Sequence, residues 1–318
     1  MGSSYPNGFA SGVTIRGIPL NASHPGEVFW VNNSGVLAKG GVGGSNGNDG
    51  SYRKPFSTIE YAIGRCTASR GDVIMVMPGH SEDISAAAGL TADVAGIAVI
   101  GLGTGSLQPQ IRFTAATADI DITADNVSFY NIRFTAAFAD VASAIDVSAD
   151  DLAFVNCRFD EEATDENYVV VMNIADGNDG LLVDGCTYLG SDASNDHFIE
   201  LAGTHDRVTV KNSVMIHGTA QTATVAMIES ATAQTNMVLA DNLFHSESAA
   251  VAAAFVVLTG TGNTGLAVRN YMSHVDADAT AANSTAAFDV TGLGSFENKI
   301  AATGDIYGVE FGTAEDLT

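Results

Sequence analysis

Basic side chains are scarce in this sequence of 318 residues: 13 Lys and Arg stand against 37 Asp and Glu, for a formal charge of −24. Lysine is confined to Lys39, Lys54, Lys211 and Lys299. So acidic a chain repels phosphate backbones and anionic lipid heads, which argues against nucleic-acid and membrane partners. Cysteine is equally sparse, with Cys66, Cys157 and Cys186 forming an odd set at no metal-ligand spacing. Neither a disulfide framework nor a zinc site is expected, and buried free thiols are the simplest reading. No run approaches the ~18 apolar residues of a membrane-spanning helix. The opening "MGSSYPNGFASGVTIRG" has neither a basic segment nor an apolar core, so no secretory signal is expected. Helical periodicity is missing from residues 71 to 311, which sets aside every helix-based fold for that stretch.

What the chain has instead is a repeat. "SFYNIRF", "AFVNCRF", "TVKNSVM" and "AVRNYMS" each set an asparagine among apolar residues. From Asn131 the series continues at Asn156, Gly185, Asn212, Asn242, Asn270 and Asn298, at intervals of 25, 29, 27, 30, 28 and 28 residues, and Gly101 lies 30 residues upstream. Before each landmark runs a short alternating stretch, such as Val127 and Phe129 or Val208 and Val210. A second alternating pair lies further upstream, as in Ile120 and Ile122 or Ile145 and Val147. Alternation of period two marks a strand with one buried face. A unit this small cannot bury its face alone, but units stacked ~4.8 Å apart can, so the pattern predicts an all-β parallel β-helix with at least two strands per coil and about eight coils. The landmarks are expected to form a structural turn ladder, because Asn tolerates left-handed backbone and its amide can bond along the stack, while Gly meets the same backbone demand.

Two segments precede the repeat. Residues 1 to 50 are expected to be an attachment module followed by a glycine-rich flexible linker, "KGGVGGSNGNDGS". Ile15, Ile18, Leu20, Val28, Phe29 and Trp30 supply an apolar load too large for so short a segment to bury by itself. Residues 51 to 318 are expected to hold a capping helix and the β-helix. In "KPFSTIEYAIGRC", Ser57 and Glu60 read as a capping box, and Phe56 and Tyr61 as a staple; Ile59, Ile63 and Cys66 share one face. A helix from Ser57 would cover the exposed end of the first coil.

The succession "KPFSTIEYAI", "GDVIMVMPGHSED" and asparagine-bearing coils resembles the opening of right-handed β-helix proteins of the pectate-lyase-like superfamily. A β-helix with a small N-terminal module and no signal is similar to phage virion proteins, namely tail spikes, head spikes and capsid decoration proteins. The resemblance implies a structural virion protein, a homotrimer bound to capsid or tail proteins, with a host surface glycan as a possible ligand. Its alternative is a tail-spike depolymerase, a lyase or hydrolase acting on host polysaccharide.

Chemical candidates are weak by comparison. In "VIGLGTGS" the third glycine of a dinucleotide fingerprint is replaced by Ser106, and Pro109 falls where a helix should run. The acids Asp121, Asp146, Glu200 and Asp289 sit between inward residues and read as a solvated face. Arg133 and Arg158 recur two residues after their asparagines and read as surface ion pairs. His217, His245 and His274 fall at offsets of five, three and four residues from their landmarks and need not point together. "DGNDG" and "NGNDG" lack the bidentate acid of a calcium loop and read as turns. No catalytic residue, metal ligand or cofactor is therefore expected. The small-residue stretches "TAAFADVASA", "GTAQTATVA" and "ESAAVAAAF" are expected to be surfaces for self-association.

Overall fold

A computed structural model describes residues 13–15, 18–20, 26–163, 165–190, 197–218, 226–247, 254–274, 288–302 and 309–311. Its alternating segments form three parallel sheets wound into a right-handed β-helix of about seven turns. Each coil visits all three sheets. One runs from Ile120–Ile122 in sheet III through Ser128–Tyr130 in sheet I to Arg133–Ala136 in sheet II, and re-enters sheet III at Val141–Val147. Sheets I and II hold ten strands each and sheet III eight, paired parallel and in register from coil to coil, except that the last strand of sheet II, Val309–Phe311, adds antiparallel to Asn298–Ala302.

The alternation in the sequence is the alternation of the pleat. Ile120, Ile122, Val127 and Phe129 point inward and are wholly buried, and the equivalent residues of later coils follow them into one core that runs from Phe29 to Leu293. Aromatic rings stack along the axis, Phe129 on Phe154 at 5.4 Å and Phe134 on Phe159 at 5.0 Å, with Phe134 and Phe154 meeting edge to face. Truncating one of these rings to Ala would cost ~3–5 kcal/mol.

The solenoid begins earlier than the sequence implied. Val28–Val31 pairs in parallel with Val73–Val76 as the first strand of sheet I, so Phe29 and Val31 belong to the core. The stretch expected to be a flexible linker is a folded strap. Trp30 N donates to Gly50 O (2.8 Å), Val42 N to Arg53 O (2.9 Å) and Asn48 Nδ2 to Pro55 O (2.8 Å), while Asn46 Oδ1 accepts from the backbone and hydroxyl of Ser57. Two of its glycines are there for space. A Cβ on Gly44 would lie 1.5 Å from Asn32 O, and one on Gly50, at φ +74°, would enter the Phe56 ring. Glycine content was read as freedom, but here it permits close backbone approach. Further upstream, Val13–Ile15 and Ile18–Leu20 pair as an antiparallel hairpin.

The helix is one short segment, α1, Ile59–Ile63. Its cap is Thr58, whose hydroxyl accepts from Tyr61 N (3.3 Å), one residue beyond the expected Ser57. Glu60 does not close a capping box; its carboxylate accepts from Thr91 N (2.6 Å) in the first strand of sheet III. The N–H of Ile59 is taken instead by Glu82 Oε2 (2.7 Å), which also meets His80 Nε2 (3.2 Å). Because His80 Nδ1 accepts from Asn33 N, Nε2 carries the proton and donates to Glu82. Ile59, Ala62 and Ile63 are buried against the first coils, and Phe56 meets Tyr61 edge-on at 5.0 Å.

Candidate functional site

From Tyr130 onward the corner between sheets I and II is two residues, the second already in the strand at Asn298, and these residues carry two separate columns. The first residue adopts left-handed backbone: Asn131 (φ 54°), Asn156 (53°), Gly185 (66°), Asn212 (53°), then Asp241 (57°), Arg269 (52°) and Glu297 (54°). The second points inward, through Ile132, Cys157, Cys186 and Ser213 to Asn242, Asn270 and Asn298, all buried. The expected ladder therefore divides. Asn131, Asn156, Gly185 and Asn212 are turn residues, whereas Asn242, Asn270 and Asn298 are core residues one position further on. Gly101 belongs to neither column. It lies in the strand Ala98–Gly101, where a Cβ would meet Asn131 O at 2.3 Å and its carbonyl accepts from Asn131 Nδ2 (2.7 Å).

The inner column is the amide stack that the sequence reading placed at the turn. Asn242 Nδ2 donates to Asn270 Oδ1 and Asn270 Nδ2 to Asn298 Oδ1, both at 2.9 Å. The same oxygens accept the backbone N–H of Asn242 and Asn270, and each Nδ2 reaches a carbonyl of sheet I. Ser213 N and Cys186 N continue the pattern upward through Asn242 Oδ1 and Ser213 Oγ. A second buried polar column, not foreseen, lines another corner. His205 Nδ1 donates to Asn178 O (2.7 Å), Gln234 N to Asn263 Oδ1 (2.8 Å) and Asn263 Nδ2 to Thr291 O (3.0 Å).

In the outer column, Asn212→Leu forces a branched side chain into left-handed backbone and removes the bond from Asn212 Nδ2 to Asp184 Oδ1 (2.8 Å). It is expected to cost ~1–3 kcal/mol, and Asn212→Gly less, in denaturant unfolding. If both variants unfold with the parent, the turn residue is interchangeable.

The outer face of sheet II holds a cleft of about 250 Å³ lined by Arg133, Arg158, Asp160, Glu161, Leu189 and Ile216, with Gly190 and Gly218 at its edge. Strand register sets Arg133 directly beside Arg158, and pleat alternation puts Asp160 on the face of Arg158. The Asp160 side chain is only 4% exposed. Its oxygens accept Arg133 Nε (2.9 and 3.0 Å), Arg158 Nε (2.5 Å) and Thr135 Oγ1 (3.0 Å). Both guanidiniums are thus held by their inner nitrogen. Arg112, by contrast, spends its terminal nitrogens on Asp83 and Glu162. Asp160 was not singled out from the sequence, although the spacing in "RFD" carries the signal: residues two apart share a face.

No family model matches the chain, and no curated protein or solved structure is significantly similar to it.

The remaining candidates resolve by geometry. Asp121, Asp146, Glu200 and Asp289 do stack in one outward column of sheet III, with Asn173, Glu229 and Val257 between them. Oxygens of Asp119, Asp121 and Asp146 lie within 4.8 Å of one another, and burial together with the charges of Asp121 and Asp146 pushes the Asp119 carboxyl up. All three are part-exposed, and a solvated acidic stripe is the plain reading. His217 and His245 do not converge. His245 is paired with Ile216 across the strands, so His217 points into the core and His245 outward, and the side chain of His274 lies outside the described residues. Asp176, Asn178 and Asp179 of "DGNDG" are consumed in turns, bonding Thr204 N, Ala175 O and Asp206 N. "VIGLGTGS" continues from sheet I into a short 3-10 turn, Gly105–Leu107, rather than a helix. The cysteines are free, and burial pushes Cys66 up to about 12 and Cys186 well above the ordinary thiol range, which disfavours the thiolate at these two.

Of the expected attachment residues, Phe29 is buried in the core and unavailable to a partner. Val28 is exposed, and Trp30 is half-buried edge-on to Tyr52 at 4.8 Å. The side chains of Ile15, Ile18 and Leu20 lie outside the described residues, as does most of "GTAQTATVA" and "ESAAVAAAF".

Proposed function

We propose that this chain is a structural virion protein of a tailed phage, a β-helical spike or capsid decoration anchored through its N-terminal segment and working as a homotrimer. The observation that supports a structural role best is the interior polar stacking. Asn242, Asn270 and Asn298 tie each of these coils to the next by side-chain bonds added to the strand ladder, which resists the axial shear and fraying to which a one-dimensional stack is prone. The opening motif supports the spike or decoration type by resemblance. The anchor is the segment before the first strand of sheet I, because from Val28 onward the chain is committed to the solenoid.

Removal of residues 1 to 25 tests this while sparing that first strand. The truncated rod is expected to melt with the parent and to sediment as a trimer, yet to fail to bind particles that lack the protein. Equal decoration of particles by the truncated chain would move the anchor into the β-helix, and a parent that sediments as a monomer would remove the trimer. Sustained release of reducing sugar or unsaturated uronate from host polysaccharide would replace the structural reading with the depolymerase one.

A further inference from the structure

We propose that copies of this chain associate by packing sheet II of one against sheet III of the next, with Arg133 and Arg158 meeting the partner's Asp121 and Asp146. This rests on the homotrimer reading and adds to it the faces that touch, the corner at the axis and the ion pairs that set the register. Three features of adjoining coils carry it. On sheet II, Arg133 and Arg158 are fixed through Nε by the buried Asp160, and their terminal nitrogens bond no described residue. Arg112, Arg207 and Arg269 each spend a terminal nitrogen on a carboxylate of their own chain. Two guanidiniums held side by side with their outer edges open suit a pair of carboxylates on another surface. On sheet III, Asp121 and Asp146 stand side by side in the same way and crowd with Asp119, and no described Lys or Arg pairs with any of the three. Burial and these neighbouring carboxylates push the Asp119 carboxyl up, as expected of an acidic group without a countercharge. Between the two faces, in the corner from Ala136 to Val141, Phe138 is 45% exposed beside the exposed Ala139 and Ala142. An apolar corner flanked by opposite charges has the make-up of an interface with an apolar centre and a polar rim.

Symmetry brings the two faces together. Copies anchored by the same end stand parallel, and a closed ring of three parallel rods is generated by rotation about an axis along them, which leaves height unchanged. Each side chain therefore meets those at its own height on the neighbour. Arg133 follows Asp121 and precedes Asp146 in one winding of the chain, and Arg158 lies one coil further, so each Arg is within a coil spacing of ~4.8 Å of its acids in height. With the Phe138 corner turned to the axis, sheet II of one copy faces sheet III of the next and sheet I stays outside.

Sedimentation and cross-linking of the full chain test the assignment. The double variant Asp121→Lys/Asp146→Lys sets cations opposite Arg133 and Arg158 and should weaken association at least ~ten-fold, while Thr209→Lys, on the outer face of sheet I, should leave it unchanged. Phe138→Cys treated with the thiol oxidant diamide should give covalent dimers, since three thiols around an axis pair only two at a time. Leu266→Cys, exposed on sheet I, should stay single under the same treatment. If the double Lys variant fails to fold, the comparison of positions 138 and 266 decides by itself. A parent that sediments as a monomer ends the homotrimer reading and this assignment with it. A trimeric parent whose double Lys variant associates as tightly as Thr209→Lys, or whose Phe138→Cys chain cross-links no faster than Leu266→Cys, overturns the faces assigned and leaves the trimer standing.

Discussion

Asn270→Leu is expected to be among the most damaging single substitutions of a polar residue in this chain, at ~3–5 kcal/mol. Leucine has the same branched outline and is somewhat larger, so a void is not the cause. The substitution deprives Asn242 N and Asn242 Nδ2 of their shared acceptor and Leu239 O of its side-chain donor, all inside the core. Each buried polar group left without a partner costs ~1–3 kcal/mol, and Asn242 Nδ2 retains Val210 O as a second partner, which bounds the total. Because a solenoid is stabilised coil by coil, the loss should appear first as faster amide exchange across the coils of Asn242, Asn270 and Asn298, and then as a lower unfolding midpoint. Exchange protection and midpoint equal to the parent would show that the stack contributes nothing beyond the strand ladder.

The second large effect is expected at His217. Its side chain is wholly buried, edge-on to Tyr188 at 5.9 Å, and neither ring nitrogen has a hydrogen-bond partner among the described residues. Burial, with a smaller contribution from His197, lowers its pKa from the ordinary 6.5 to about 4. The fold therefore holds the neutral ring and the unfolded chain takes up the proton first. The stability tied to that neutral ring is complete above pH 6.5 and is lost as pH falls from there toward 4, roughly 3 kcal/mol in all. His217→Leu removes this term, so its unfolding free energy should decline less than the parent's between about pH 7 and pH 4, while at pH 7 it matches or exceeds the parent because two unsatisfied nitrogens are gone. Parallel declines for parent and variant would sink the assignment, since the acidic groups common to both cancel in the difference.

The repeat, the strand periodicity and the β-helix were legible because a stacked coil imposes one local pattern many times, and repetition averages out the ambiguity of any single short strand. The two-residue corner was harder. An asparagine that adopts left-handed backbone and an asparagine that stacks in the core look alike in sequence. The change from one role to the other is visible only as the 30-residue interval between Asn212 and Asn242, where the left-handed position moves to Asp241. The glycine-rich strap misled for a related reason, since composition cannot separate glycines that confer freedom from those, like Gly44, that permit contact.

The cleft lies at the other limit. Arg133, Arg158 and Asp160 are ordinary residues in ordinary strands, and what makes them a site is the register that lays one coil on the next, with one buried carboxylate fixing two guanidiniums. Sequence determined the period, the pleat and hence the core, because these follow from local alternation and from the need to bury it. The tertiary structure alone decided which side chains 25 to 30 residues apart share a rung, because coil lengths vary and a shift of one residue turns every side chain to the opposite face.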